Sequence, residues 1–178
     1  GFLNKLNAQF AFAIYDRKDE TLFLARDQWG ICPLFYTVVD GFLIFASEIK
    51  AILAHPSVPR EVNLTGLDQV LSLPGAISPQ TLFRNIHSLP SGHYLLVRNG
   101  DVAVREYWDL DYPLATENGN GKPESYYAEK LRDLLEQSVR YRLQADVPVG
   151  FFLSGGLDSS LIAAMIRRVS PDVQRHSF

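Results

Sequence analysis

The sequence predicts two folds in series: an α+β region of antiparallel sheets with helices, then the start of a parallel α/β region. Three observations predict this order. Short apolar runs separated by Asp40-Gly41 and Asn99-Gly100 read as β-hairpins, because these dipeptides accept the positive φ that tight hairpin turns need. A polar stretch at 109–123, carrying Pro113, Gly119, Gly121 and Pro123, reads as a boundary. Beyond it come a helical apolar period, a short apolar run, a glycine break and a second helical run. The expected division is 1–112, a linker at 113–123, and 124–178.

In chain order, residues 10–15 form an apolar β-type run, 16–20 a charged turn and 21–26 the returning strand. Residues 34–39 and 42–46 flank Asp40-Gly41 as a second hairpin. Ser47 followed by Glu48 is expected to cap a short helix reaching about residue 53. The first 53 residues thus read as an antiparallel sheet ending in a helix. Residues 65–72 suit one or two helical turns ended by Leu73-Pro74-Gly75, and 76–92 read as loop. A third hairpin spans 93–98 and 101–108. From 124 to 143, Tyr127, Leu131, Leu134, Leu135 and Val139 recur at helical spacing, with acidic residues early and Arg140 and Arg142 late, as a helix dipole favours. Residues 147–153 are apolar, edged by Pro148, and long enough for one buried strand. Residues 158–168 begin with Asp158 and Ser159 and end with Arg167 and Arg168, a second helix. Residues 173–178 read as the opening of a further strand.

Composition narrows the function classes. The 178 residues are 47% hydrophobic and 21% charged with a net charge of −3, which suits a packed globular chain. No basic tract favours nucleic acid, no apolar run approaches a membrane span, and no signal-peptide pattern opens the chain. Small molecules are the expected partners, with neither nucleic acid nor membrane. A single cysteine, Cys32, precludes an internal disulfide and is compatible with a reducing compartment, so the expected location is cytoplasmic. Gly1 at the start, Met165 as the only methionine and the strand-like ending raise the expectation of a piece of a longer protein.

The chemistry concentrates at 147–160, V-P-V-G-F-F-L-S-G-G-L-D-S-S. A strand, a glycine turn and a helix in that order aim the free N–H groups of the helix's first turn at one point, which suits a phosphate. Gly155 and Gly156 lack Cβ and let the backbone bend close to a ligand. The segment has no lysine after its glycines, so it is no Walker A loop, and it lacks G-x-G-x-x-G. Phe152 replaces the first glycine that a G-x-S-x-G elbow needs. Asp158 beside such a loop would repel phosphates unless a cation lay between, and Mg2+ is the natural oxygen-binding ion; helix capping is its alternative role.

Ser154-Gly155-Gly156-Leu157-Asp158-Ser159 resembles the S-G-G-x-D-S loop of the ATP pyrophosphatase family, and with Ala145-Asp146-Val147-Pro148-Val149-Gly150 before it, the segment resembles glutamine-dependent asparagine synthetases. The resemblance implies that Leu153, Ser154, Gly155, Gly156, Leu157, Asp158, Ser159 and Ser160 bind ATP and its pyrophosphate, with Asp158 also holding Mg2+. It implies an ATP-dependent C–N ligase that converts aspartate to asparagine through a β-aspartyl-adenylate, releasing AMP and pyrophosphate. A homodimer of the full-length parent is compatible with it. Related readings are an amidotransferase of another pathway, a β-lactam-forming ligase, or a non-catalytic module.

The first part carries a matching resemblance. Arg26-Asp27-Gln28-Trp29-Gly30-Ile31-Cys32-Pro33-Leu34 is similar to the R-D-x-x-G-x-x-P-L stretch of class II glutamine amidotransferases, and 10–16 and 45–53 fit the same family. Pro90-Ser91-Gly92-His93-Tyr94 and Tyr107-Trp108 resemble the join between glutaminase and synthetase domains. The fold implied is the later part of an N-terminal-nucleophile glutaminase sandwich. The family's nucleophile is an N-terminal cysteine, whereas position 1 here is Gly, and the family's substrate-binding Arg, Asn-Gly pair and Asp have no counterpart in 1–53. No catalytic residue is therefore assigned, and the piece alone is not expected to hydrolyse glutamine. Cys32 reads as a packed side chain, Arg26 and Asp27 as an ion pair or turn cap, and the four histidines as surface or loop residues without metal-ligand spacing.

Overall fold

The computed structural model describes residues 1–112, 122–171 and 176–178. They fall into two compact units, Gly1–Asp111 and Tyr112–Phe178. The expected linker at 113–123 lies mostly outside the described residues, as do 173–175 of the expected last strand.

The first unit opens with a short 3-10 turn at Phe2–Lys5. Strands β1 (Ala11–Asp16) and β2 (Thr21–Arg26) pair antiparallel, as the two runs flanking a charged turn predict. Strands β3 (Phe35–Val39) and β4 (Phe42–Ala46) form the second hairpin, in which Asp40 and Gly41 take φ of 50° and 78°. Helix α1 (Ile49–Ile52) and helix α2 (Leu64–Ser72) follow. Then come β5 (His87–Ser88), β6 (His93–Arg98) and β7 (Asp101–Glu106), the last two joined by Asn99 and Gly100 at φ 53° and 85°.

The first 53 residues do not make one sheet. The strands divide into a four-stranded sheet ordered β1-β2-β6-β7 and a three-stranded sheet ordered β4-β3-β5, all antiparallel. The physical reason is competition for one edge. The open edge of β2 is taken by β6, with Leu24 opposite Leu95, so β3 and β4 pair elsewhere. Leu24 and Leu95 then share a core with Leu34 and Leu89, joined by Tyr36 and Leu43 of the smaller sheet. On the opposite face of that sheet, Phe35, Val39, Ile44 and Ala46 pack against Ile52, Val58 and Ile86. Strand periodicity of two sends Tyr36 to one core and Phe35 to the other.

Two local expectations also change. Glu48, not Ser47, is the N-cap of α1, it makes no side-chain cap bond, and the helix is one turn. The stretch 76–92 is not wholly loop: β5 adds to β3, because Ser88 and His87 pair with Phe35 and Tyr36.

The second unit contains helix α3 (Glu124–Arg142) and helix α4 (Leu157–Val169). Acidic residues begin both and arginines end both, as the dipole argument requires. Val139 and Ile166 are their buried residues, and Arg168 Nε lies 2.5 Å from Glu136 Oε1 across the pair. The expected strand at 147–153 reduces to one parallel bridge between Phe151 and Ser177. Among the described residues no helix is long and apolar enough to cross a membrane.

Candidate functional site

The residues singled out in the sequence lie together at the N-terminus of α4. Leu153 donates its N–H to Phe178 O at 2.8 Å, so the chain enters the bend from a paired, extended conformation. Gly155 then turns at φ +80°, and a Cβ there would meet nothing within 4 Å. The bend is therefore set by backbone conformation alone, which is the case where glycine matters most. Gly156 is the N-cap of α4 at φ −76° and ψ 167°.

The hydroxyls close a small network. Ser159 Oγ donates to Gly156 O at 3.1 Å, Ser154 and Ser159 Oγ lie 3.0 Å apart, and Gly156 N–H reaches Ser154 Oγ at 3.4 Å. Ser159 has one proton and gives it to Gly156, so Ser154 is the donor between the two serines. Ser160 N–H bonds Gly156 O at 3.1 Å and begins the helical ladder.

The amides of Leu157, Asp158 and Ser159 have no hydrogen-bond partner among the described residues. Three donors of one helical turn thus stand unpaired among the described residues at its positive end. Asp158 sits in this first turn rather than at the cap, and makes no capping bond. Its exposed carboxylate remains free to meet a ligand or cation. Asp158 has no companions for a protein-only metal cage, since no group of three His, Cys, Asp or Glu gathers among the described residues. One carboxylate fits a Mg2+ ion that takes its other oxygens from phosphates and water.

Leu157 and Phe152 are each 85% exposed and Leu153 is 42% exposed, so the loop lies open. A half-open pocket of about 220 Å³ in the second unit is lined by Leu135, Val139, Val149, Phe151, Ile162 and Ile166 among others, and includes none of residues 153–160. Its apolar wall comes from α3, α4 and the segment 149–151 that leads into the loop.

In the first unit, Arg26 and Asp27 do not pair with each other; both bind main chain. Arg26 donates to Cys32 O at 2.8 Å, Gly30 O at 2.6 Å, Leu89 O at 2.7 Å and Ser88 Oγ at 3.0 Å. Asp27, 2% exposed, accepts from the amides of Phe10, Trp29, Ile31 and Cys32 at 3.0–3.3 Å. Burial pushes the Asp27 carboxyl upward, but the four N–H bonds outweigh it and hold its pKa below the ordinary range. Burial lowers the Arg26 pKa, opposed by the Asp27 charge. Tyr107 Oη donates to Arg26 O at 2.7 Å and ties in the far hairpin. The turn-cap reading of this motif holds and the ion-pair reading does not. Its partners Ser88 and Leu89 are more than 60 residues away, which no local pattern could announce.

A family model described as a glutamine amidotransferase domain matches residues 1–108. A second, described as asparagine synthase, matches residues 130–178. The chain belongs to the asparagine synthetase-like glutamine amidotransferases. It is 38% identical to asparagine synthetase [glutamine-hydrolyzing] 3 of Bacillus subtilis over 92% of this chain and 26% of that protein. It is 39% identical to amidase chyE of Penicillium rubens over 93% of this chain and 24% of the relative. Asparagine synthetase [glutamine-hydrolyzing] 2 of Bacillus subtilis is also 38% identical, over 92% of this chain and 23% of its own length. The chain thus spans about a quarter of the length of these relatives.

Proposed function

We propose that this glutamine amidotransferase-type chain forms part of an ATP-dependent asparagine synthetase that passes glutamine-derived ammonia to aspartate through a β-aspartyl-adenylate. The observation that carries the reading is the set of unengaged amides at Leu157, Asp158 and Ser159 behind the Gly155 bend. That loop stands within the segment matched by the asparagine synthase family model.

In this reading the loop grips the β and γ phosphates of ATP, with Ser154, Ser159 and Ser160 adding hydroxyl donors and Leu153 lining the nucleotide side. An aspartate side-chain oxygen attacks the α phosphorus, the bond to the bridging oxygen breaks, and pyrophosphate leaves with that electron pair. Ammonia then attacks the acyl carbon and AMP departs. Charge develops on the leaving pyrophosphate, where fixed N–H donors aimed beforehand stabilise it most. Asp158 would hold Mg2+, which when bound neutralises phosphate charge.

The test is pyrophosphate release by the full-length protein supplied with Mg-ATP, aspartate and either glutamine or ammonium. The expected result is stoichiometric AMP, pyrophosphate and asparagine; ADP and phosphate as products would sink the assignment. A second reading rests on the amidase relative, which is as similar as the synthetases. There the loop chemistry is the same and a different carboxylate accepts the ammonia. Pyrophosphate release that ignores aspartate and responds to another acid would favour it.

A further inference from the structure

Gly150 lies three residues before the first site residue, and nothing in the S-G-G-x-D-S pattern includes it. A Cβ at Gly150 would come 2.8 Å from Phe178 Cε2 and 3.0 Å from His176 O. The Phe178 ring would have to move, and the His176 carbonyl to give by a few tenths of an ångström. Residues 176–178 hold the loop's upstream end by three bonds: Phe151 N–H to His176 O at 3.0 Å, Phe178 N–H to Phe151 O at 3.0 Å, and Leu153 N–H to Phe178 O at 2.8 Å. The Phe178 ring also lies 6.4 Å from that of Phe152. Beyond Leu153, the bonds found for 154–156 among the described residues are local to the loop and the first turn of α4.

We propose that Gly150 is a positioning residue for the nucleotide loop: its bare Cα leaves room for the Phe178 ring and the His176 carbonyl beside the incoming segment, and that approach sets where Ser154 starts the bend. The inference rests on the functional reading given above. It assigns to Gly150 a role in ATP affinity without contact with ATP. A Cβ would displace residues 176–178, lengthen the Leu153–Phe178 bond and shift Leu153 and Ser154 relative to the amides of 157–159. The downstream end, held by the packing of α4 on α3, would keep its place.

The experiment is steady-state pyrophosphate release by the full-length protein and its Gly150→Ala variant, with glutaminase rate and circular dichroism followed in parallel. Gly150→Ala is expected to raise KM for ATP by about 10-fold with kcat held within about twofold, as a displacement short of 1 Å would do. Glutaminase activity and circular dichroism are expected to stay unchanged. Adding Phe178→Leu to Gly150→Ala makes room for the Cβ and is expected to recover most of the lost affinity. An unchanged KM, a fall in kcat that only tracks the folded fraction, or a variant that fails to fold and is not recovered by Phe178→Leu overturns the inference. Absence of ATP-dependent pyrophosphate release from the unsubstituted protein overturns the functional reading itself, and this role with it.

Discussion

Ser154 Oγ and Ser159 Oγ meet at 3.0 Å across the glycine bend, while Ser159 also donates to Gly156 O. The two serines tie the two sides of the bend together, and the three amides beyond them have no partner among the described residues. Ser159→Ala removes both of these bonds at once. We expect it to weaken ATP binding by about 5- to 10-fold, from the loss of roughly 1 kcal/mol of preorganising hydrogen bond. Isothermal titration with Mg-ATP measures it, and unchanged affinity would show the network to be idle.

Asp158→Ala in the full-length protein is expected to cut ATP-dependent pyrophosphate release by about 100-fold, or about 2.7 kcal/mol at 1.36 kcal/mol per tenfold. Glutaminase activity should remain near its original level, because Asp158 stands in a different compact unit from the residues matched by the amidotransferase domain model. Pyrophosphate release at the original rate would remove Asp158 from the site.

Gly155→Ala isolates backbone conformation, since the added methyl meets nothing within 4 Å while φ is +80°. The expected cost is about 1–2 kcal/mol of left-handed strain, read as a weaker ATP affinity or a relaxed loop. Gly156→Ala, at φ −76°, is the control and should cost less. Equal effects of the two substitutions would show that conformation is not what the glycines supply.

Asp27→Ala strips the acceptor from four part-buried amides. A loss of about 3 kcal/mol or more is expected in urea unfolding. The same residue predicts a pH dependence. Its folded carboxyl titrates below the ordinary range, so ionised Asp27 stabilises the fold above about pH 4. That contribution is lost as pH falls through the folded value. Asp27→Asn should flatten the acid limb of stability against pH below about pH 4. An unaltered limb would assign it to other carboxylates.

Arg26→Lys tests the other half of the clamp. One ammonium cannot reproduce a guanidinium that serves Cys32, Gly30, Ser88 and Leu89 together. Thermal unfolding should move down by several degrees, equivalent to about 1–3 kcal/mol. A melting temperature equal to that of the parent chain would contradict the clamp.

Much of this was legible in the chain itself. Asp40-Gly41 and Asn99-Gly100 mark tight turns because few other residue pairs tolerate two positive φ values in succession, and both turns occur where that rule puts them. Tyr127 through Val139 at helical spacing, with Glu124 before and Arg142 after, specify α3 through local geometry and the helix dipole. Ser154 to Ser160 could be recognised as one loop because its members are contiguous and their chemistry depends on backbone they carry with them. Only the tertiary structure decided which strands share a sheet, since β6 arrives from some seventy residues away to take the edge of β2, and edge competition leaves no local trace. It also decided that Arg26 binds the Ser88 hydroxyl and the Leu89 carbonyl rather than its neighbour Asp27, and that the Phe178 ring lies against Gly150. These depend on groups distant in sequence meeting at van der Waals range, and a side chain's partner across space is fixed by packing, not by its neighbours along the chain.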